Sequence, residues 1–185
     1  MIKVWMIYIK TILIALVLII NSCGGIEPTG KERIIFFPEP CSAAQDTISI
    51  CLNKSDSGID PVTIDIIAND ITRPVLSSAF DIDFNASGLE FNNSYLTGDF
   101  FEKDGGNPDY LVTLEEGSTN KIIIGVSLSS DSKGIKGSGT IISLQLRLKN
   151  GAENEITFSN NSLLDSSGRI IEGILWNIGK VKRGV

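Results

Sequence analysis

The stretch that most constrains the fold lies at residues 79–91 and reads AFDIDFNASGLEF. Its first half alternates large apolar side chains with the carboxylates of Asp81 and Asp83, which predicts a strand with one apolar and one anionic face. A turn at residues 85–88 follows, and the next apolar side chains return to the same side. Because an apolar strand face has to be covered, we expect a second sheet to pack on it and predict a β-sandwich.

The same alternation recurs along the chain, and short segments rich in Gly, Asn and Ser separate its repeats. Apart from one helical turn near Tyr95–Phe101, no segment carries a helical period. The pattern is typical of an all-β sandwich or jelly roll. Besides the pair of strands in 79–91, strands are predicted around residues 48–50, 62–68, 110–115, 121–128, 140–149, 155–164 and 170–178.

Three stretches resemble the cohesin family. Asn85–Phe91 is similar to the turn that follows the third cohesin strand, with Ala86 where the family usually has proline. Gly137–Thr140 resembles the Gly-x-Gly entry to a long late strand, and Ile156–Ile171 resembles the last hairpin. The resemblance covers residues 46 to 180 in the family's order. It implies a jelly-roll sandwich of about nine strands.

The N-terminal residues 1–22 have the organisation of a bacterial signal peptide. Lys10 precedes a short apolar run, Ile12–Ile20, and a small residue precedes Cys23, as in a lipobox. A membrane-spanning anchor is the alternative. It would bury Lys10 at a cost of about 2.5 to 3.5 kcal/mol, and the apolar run is far shorter than the roughly 20 residues of a span. We therefore expect lipidation at Cys23 and an exported protein of the cell envelope, held at the outer membrane or cell surface.

We predict a tether at residues 23–45 and one domain at residues 46–185. Lipidation of the first cysteine leaves Cys41 and Cys51 as an even pair in an exported chain, which favours a disulfide. Two free, partly buried thiols are the alternative. An apolar cluster within the tether, Ile34–Phe37, is either an added edge strand or a patch that rests on the domain.

Charge and composition argue against nucleic-acid binding and catalysis. The formal charge of the chain is −6; without the two signal lysines, 14 of the 16 basic residues remain against 22 acids, which gives −8. Such a chain repels phosphate backbones. The chain has no histidine, the usual general base. The best acid pair, Asp81 and Asp83, stands about 6.5 to 7 Å apart on an open strand face, without the cleft that raises a catalytic pKa. We predict no enzyme activity and no cofactor.

The sequence carries weak signals for two further kinds of binding site. Four acids in one loop are a weak calcium candidate, because they lack the regular spacing of a calcium loop; they are Asp99, Glu102, Asp104 and Asp109. Sugar binding needs an exposed planar ring, and Trp176 alternates with isoleucines in a late strand, a pattern more typical of a core residue.

The cohesin resemblance implies a protein partner, a dockerin, which is the calcium-loaded helical module of polysaccharide-degrading enzymes. Cohesins use the outward side chains of the third strand and its neighbours. In this sequence those positions are Ser77, Ala79, Asp81 and Asp83, with Lys121, Ile123, Gly125 and Ser127 on the paired strand. Type I cohesins often have asparagine and aspartate where this chain has Ser77 and Ala79, which departs from type I pairing. A carbohydrate-binding module with a polysaccharide ligand, or a structural or adhesion domain at the cell surface, are the alternatives.

Substitution of Cys23 by alanine should abolish acylation and leave unprocessed precursor, because the thiol is the atom that is acylated. Intact-mass analysis of the membrane fraction measures both outcomes. An unchanged mature mass in the Cys23→Ala variant would contradict lipidation at this residue.

Overall fold

The computed structural model describes residues 32–58, 60–129 and 131–184. In these ranges eleven strands and one short 3₁₀ helix follow one another. The strands are β1 (Arg33–Phe37), β2 (Thr47–Leu52), β3 (Val62–Val75), β4 (Ser77–Phe84), β5 (Leu89–Thr97), β6 (Asp109–Leu114), β7 (Lys121–Ser127), β8 (Ile135–Leu148), β9 (Asn154–Leu164), β10 (Leu175–Asn177) and β11 (Gly179–Gly184). The prediction of an all-β sandwich is confirmed, with eleven strands against about nine. One extra strand is β1. The other arises because the structure has two strands, β10 and β11, where the sequence predicts one strand at 170–178.

The strands form two sheets that face each other. The six-stranded sheet has the order β1-β11-β9-β4-β7-β6, and the five-stranded sheet has the order β10-β2-β3-β8-β5. Neighbouring strands are antiparallel except β10 and β2, which are parallel. The stretch at 79–91 supplies β4, in the interior of the first sheet, and the start of β5, at an edge of the second.

The core lies between the two sheets and is built from alternate strand residues. On β4, Phe80 and Ile82 are buried, and on the paired strand β7 the side chains of Ile122 and Ile124 are buried beside them. Ile64 on β3 faces them from the other sheet. Every second side chain of these strands therefore points into the core.

An aromatic cluster closes one side of the core. Trp176 on β10 lies 4.9 Å from the ring of Phe158 and 5.7 Å from the ring of Phe80, measured between ring centroids. The three rings meet edge to face or tilted, the geometry that aromatic pairs prefer. The cluster joins β10 of one sheet to β9 and β4 of the other, so Trp176 packs against the core.

The segment after β5 differs from the single helical turn expected near 95–101. Residues 95–97 extend β5, and the 3₁₀ helix follows at Lys103–Gly105. Phe100 and Phe101 are fully buried and pack edge to face, 5.1 Å apart. Gly98 lets the chain approach β8 so closely that a Cβ atom there would lie 2.0 Å from the carbonyl oxygen of Thr140. Two adjacent phenylalanines carry no strand or helix period, so sequence pattern did not identify them as core residues.

Burial at the start of β6 raises the pKa of Tyr110, whose hydroxyl donates to the carbonyl oxygens of Gly98 and Ile141 at 3.3 Å. The neutral phenol therefore links β6 to Gly98, directly after β5, and to β8. In the last turn, backbone N–H groups of Arg169 and Ser167 hold the pKa of Asp165 below its usual value. This turn belongs to the hairpin at residues 156–171, which resembles the last hairpin of cohesins.

The folded sheet begins earlier than the predicted domain start at residue 46. β1, which lies within the predicted tether, pairs antiparallel with β11 from Arg33 opposite Gly184 to Phe37 opposite Lys180. Residues 1–22 and Cys23 lie outside the described residues. Within the described ranges, no helix has the length and apolar content needed to cross a membrane.

The sulfur atoms of Cys41 and Cys51 are bonded, and their Cα atoms stand 5.7 Å apart. Cys51 is on β2, and Cys41 lies in the segment that leads from β1 to β2. β1 belongs to one sheet and β2 to the other. The disulfide therefore restrains the segment that connects the two sheets.

Replacing Cys41 and Cys51 together by serine should lower the free energy of unfolding by about 2 to 3 kcal/mol, because a short closed loop no longer restricts the unfolded chain. Urea unfolding of exported protein measures the change. Peptide mapping without reduction is the control, since two alkylatable thiols in natively exported protein would contradict the bond.

Candidate partner-binding face

The outward side chains of β9, β4, β7 and β6 form one continuous surface, which we call the β4–β7 face. Strand register places the predicted positions side by side: Ser77 pairs with Ser127, Ala79 with Gly125, Asp81 with Ile123 and Asp83 with Lys121. All eight outward positions predicted from the sequence therefore lie on this face, in four neighbouring rows.

One end of the face is a cluster of charged groups. The Lys121 ammonium lies 3.8 Å from a carboxylate oxygen of Asp81, 3.8 Å from one of Asp83 and 4.0 Å from one of Glu115. Glu115 follows β6 and was not among the predicted positions; its carboxylate completes a set of three around one ammonium group. The cluster carries a net charge of −2 and is the anionic end of the face.

Asp81 and Asp83 share a side of β4 but differ in exposure. Asp81 is only 8% exposed, which differs from the expectation of an anionic side left open to solvent. The Asn160 amide covers it and donates to its carboxylate at 2.7 Å. Asp83 is partly exposed and accepts a hydrogen bond from the hydroxyl of Ser159. Asp83 is therefore the more accessible carboxylate for a partner.

A β-bulge brings the Asn160 amide to Asp81. The register of β4 with β9 shifts between Ala79 and Asp81, so β9 has one extra residue there, and Asn160 has a φ of 48°. Bulges redirect side chains in this way, and asparagine tolerates positive φ better than most residues. Sequence alternation cannot reveal a bulge in a partner strand, so Asn160 was not predicted. The nearest sequence signal is the doubled asparagine at 160 and 161, which breaks the alternation.

The other end of the face is a recess with a mainly apolar lining, which also includes the exposed residue Asp109. A depression of about 380 Å³ lies over Gly125, lined among others by Ala79 and Leu111. The Leu111 side chain on β6 is 59% exposed, although leucine is usually buried. Ser77 and Ser127 also line it. Leu111 was not predicted, although its outward position follows from the alternation of β6.

The calcium candidates whose side chains are described do not form a group of three that could hold a metal ion. Asp99 accepts the backbone N–H of Thr140 at 2.7 Å, Glu102 accepts the hydroxyl of Thr97 at 3.5 Å, and Asp109 is exposed at the start of β6. The side chain of Asp104 lies outside the described part. Across the described ranges, no three acidic or thiol side chains meet as a metal ion requires.

Comparison with solved structures finds the same fold in cohesin domains. The chain is similar to a type II cohesin domain from the cellulosome of Acetivibrio cellulolyticus, with a TM-score of 0.62 and 14% identity over 75% of this chain and 95% of that one. It is also similar to the non-cellulosomal cohesin from the hyperthermophilic archaeon Archaeoglobus fulgidus, with a TM-score of 0.54 and 18% identity over 74% of this chain and 89% of that one.

A third similar structure is a chain of a type I cohesin–dockerin complex from Clostridium thermocellum, with a TM-score of 0.55 and 16% identity over 75% of this chain and 94% of that one. No family model matches the chain, and no curated protein matches it. The described domain is a cohesin-like β-sandwich. At these identities the similarity establishes the fold.

Substitution of Asp81 by alanine should destabilise the domain by about 1.5 to 3 kcal/mol, because a charge-assisted hydrogen bond with Asn160 is lost at a covered site. Glu115→Ala, at a carboxylate that is 47% exposed, should cost less than about 0.5 kcal/mol. Urea unfolding of the two variants measures both losses of stability. Equal midpoints would show that Asp81 contributes no more than an exposed carboxylate.

Proposed function

We propose that this domain is a non-catalytic binding module that holds a dockerin-bearing protein on its β4–β7 face. The observation that carries the proposal is the face itself: an anionic cluster and an exposed, mainly apolar recess lie at the two ends of one surface formed by β4, β7 and the edge strand β6. Exposed apolar groups next to unneutralised charge are typical of protein interaction surfaces.

Similar solved structures support a protein as the partner. Several of them are structures of complexes of cohesin with dockerin, including a type II complex from Acetivibrio cellulolyticus and the type I complex from Clostridium thermocellum. The cohesin resemblance of the sequence implies the same class of partner and the same strands. Polysaccharide binding is the weaker alternative, because the Trp176 ring packs against Phe80 and Phe158 instead of forming an open platform.

We also propose that the chain is exported and lipid-anchored through Cys23 in the cell envelope. The proposal rests on the apolar run and the lipobox-like residues before that cysteine. A dockerin-bearing enzyme held on this domain would then be retained at the cell envelope.

The function is tested with the full-length chain, purified in detergent, against the dockerin modules that the same genome encodes. Calorimetric titration in calcium should find at least one that binds with a Kd of about 1 µM or tighter, the weak limit for interfaces of standard size. Removal of calcium with a chelator should abolish binding, since the resemblance implies a calcium-loaded partner. A genome without dockerins, or a full set that does not bind, would contradict the proposal.

A further inference from the structure

One edge of the six-stranded sheet is basic, although the chain as a whole is acidic. This edge consists of β1 and β11, and we call it the β1–β11 edge. We propose that the domain contacts the membrane through this edge, with anionic phospholipid headgroups on its basic side chains and Phe37 at the boundary to the acyl chains. The inference rests on the proposed acylation of Cys23 and gives the anchored domain an orientation.

The two strands of the β1–β11 edge carry basic side chains and no acidic ones. The basic residues are Arg33, Lys180, Lys182 and Arg183. The Lys180 ammonium lies 3.0 Å from Glu155 and 3.7 Å from Glu153. The guanidinium of Arg183 lies 3.4 Å from Glu32. Among the side chains that the structure describes, no carboxylate lies within 4.0 Å of Arg33 or Lys182. These two charges are therefore available to anionic headgroups.

Exposed apolar groups accompany the charges. Phe36 pairs with Val181 and both are buried, so Phe37 and Lys182, each the next residue along its strand, point away from the core. The Phe37 side chain is 45% exposed, and the Lys182 ammonium lies 5.7 Å from the centroid of its ring. Ile178, directly before β11, is also exposed. Apolar groups next to lysine and arginine are typical of surfaces that lie in the membrane interface.

The position of the anchor selects a membrane as the occupant of this edge. Arg33 follows Cys23 by ten residues, and an extended chain covers at most about 3.6 Å per residue. The start of β1 therefore stays within about 36 Å of the acylated cysteine. Because the anchor keeps the headgroups at a high local concentration, a weak contact is enough to orient the domain. A second copy that paired through β1 would bring two basic edges together, which like charges oppose.

This orientation leaves the β4–β7 face accessible. β1 and β6 are the two edges of the six-stranded sheet, with β11, β9, β4 and β7 between them. If the sheet stands on the β1–β11 edge, β6 lies about 24 Å farther from the membrane than β1, at about 4.8 Å for each neighbouring pair of strands. A protein bound to β4 and β7 would therefore not compete with lipid.

The contact is tested with the mature, acylated chain in vesicles of phosphatidylcholine and phosphatidylglycerol whose acyl chains are brominated, since bromine quenches tryptophan fluorescence at short range. The variant Phe37→Trp should lose at least half of its added emission. The matched control is Leu111→Trp, at a 59% exposed leucine on the opposite edge strand β6, and its emission should not change. The emission of Trp176, which every variant contains, is measured in the unmodified chain and subtracted.

The charge contribution is tested by adding Arg33→Gln and Lys182→Gln to the Phe37→Trp variant. The ratio of docked to undocked domains should fall by about 30-fold, because each basic group at an anionic surface contributes about 5-fold. High salt, or vesicles of phosphatidylcholine alone, should have the same effect. Lys133→Gln with Lys136→Gln is the control, because it removes two exposed lysines outside the β1–β11 edge and should leave the quenching unchanged.

A second reporter keeps the test decisive if Phe37→Trp does not fold, as urea unfolding would show. Ile178→Trp serves this purpose, because the isoleucine is 39% exposed beside β11. It should be quenched in the same vesicles and with the same dependence on charge.

The outcomes separate this inference from the proposed anchoring. Quenching that is confined to the β1–β11 edge and needs Arg33 and Lys182 supports the membrane contact. An acylated chain without quenching at this edge, as a protein partner or a second copy covering it would give, overturns the inference and leaves the anchoring standing. Equal quenching of Leu111→Trp, or quenching that the loss of charge does not reduce, also overturns the inference. If intact-mass analysis finds no acyl group on Cys23, both proposals are wrong.

Discussion

Packing of the two sheets against each other determines both the interior of this domain and its exposed face. Side chains of a strand alternate, so burying Phe80 and Ile82 between the sheets necessarily turns Asp81 and Asp83 outward. A shift of one residue would place two carboxylates in an apolar interior, at a cost of several kcal/mol each. The core therefore fixes the register of β4, and that register fixes the chemistry of the β4–β7 face. Outward residues of such a face can be replaced without opening the core, provided that the alternation is kept.

Three carboxylates can lie close together at one end of the face because the cost of placing each negative charge there is offset in a different way. Asp81 is removed from water, and the Asn160 amide together with the Lys121 ammonium replaces its hydration. Asp83 keeps partial contact with water and a hydroxyl donor, and Glu115 depends mainly on solvent. Because the Lys121 distances are long and the site is partly exposed, screened attraction lowers the repulsion without cancelling it. The residual charge is a property that a partner can recognise.

Much of this arrangement was predictable because it depends on short-range periodicity. Alternation in the sequence identified β4 and β7 and their outward residues, and turn residues separated the strands. Features that depend on pairing across the sheet were not predictable. The bulge that brings Asn160 to Asp81 arises from register with β4, and the burial of Phe100 and Phe101 depends on how the chain returns towards β8. For residues 34–37 the sequence is compatible with an edge strand and with a surface patch, because only pairing with β11 decides between them.

The bond between Cys41 and Cys51 has a mechanical consequence. A pulling force that enters from the N-terminal side of β1 acts first on the five residues paired with β11. If that strand peels away, the load passes to Cys41 and through the covalent bond directly into β2, which is paired with β3 inside the other sheet. The segment between the cysteines bears little of the force. Tension on the domain thus acts first on an edge strand held by five residue pairs and by the buried Phe36, and then on an attachment to the sandwich that is covalent.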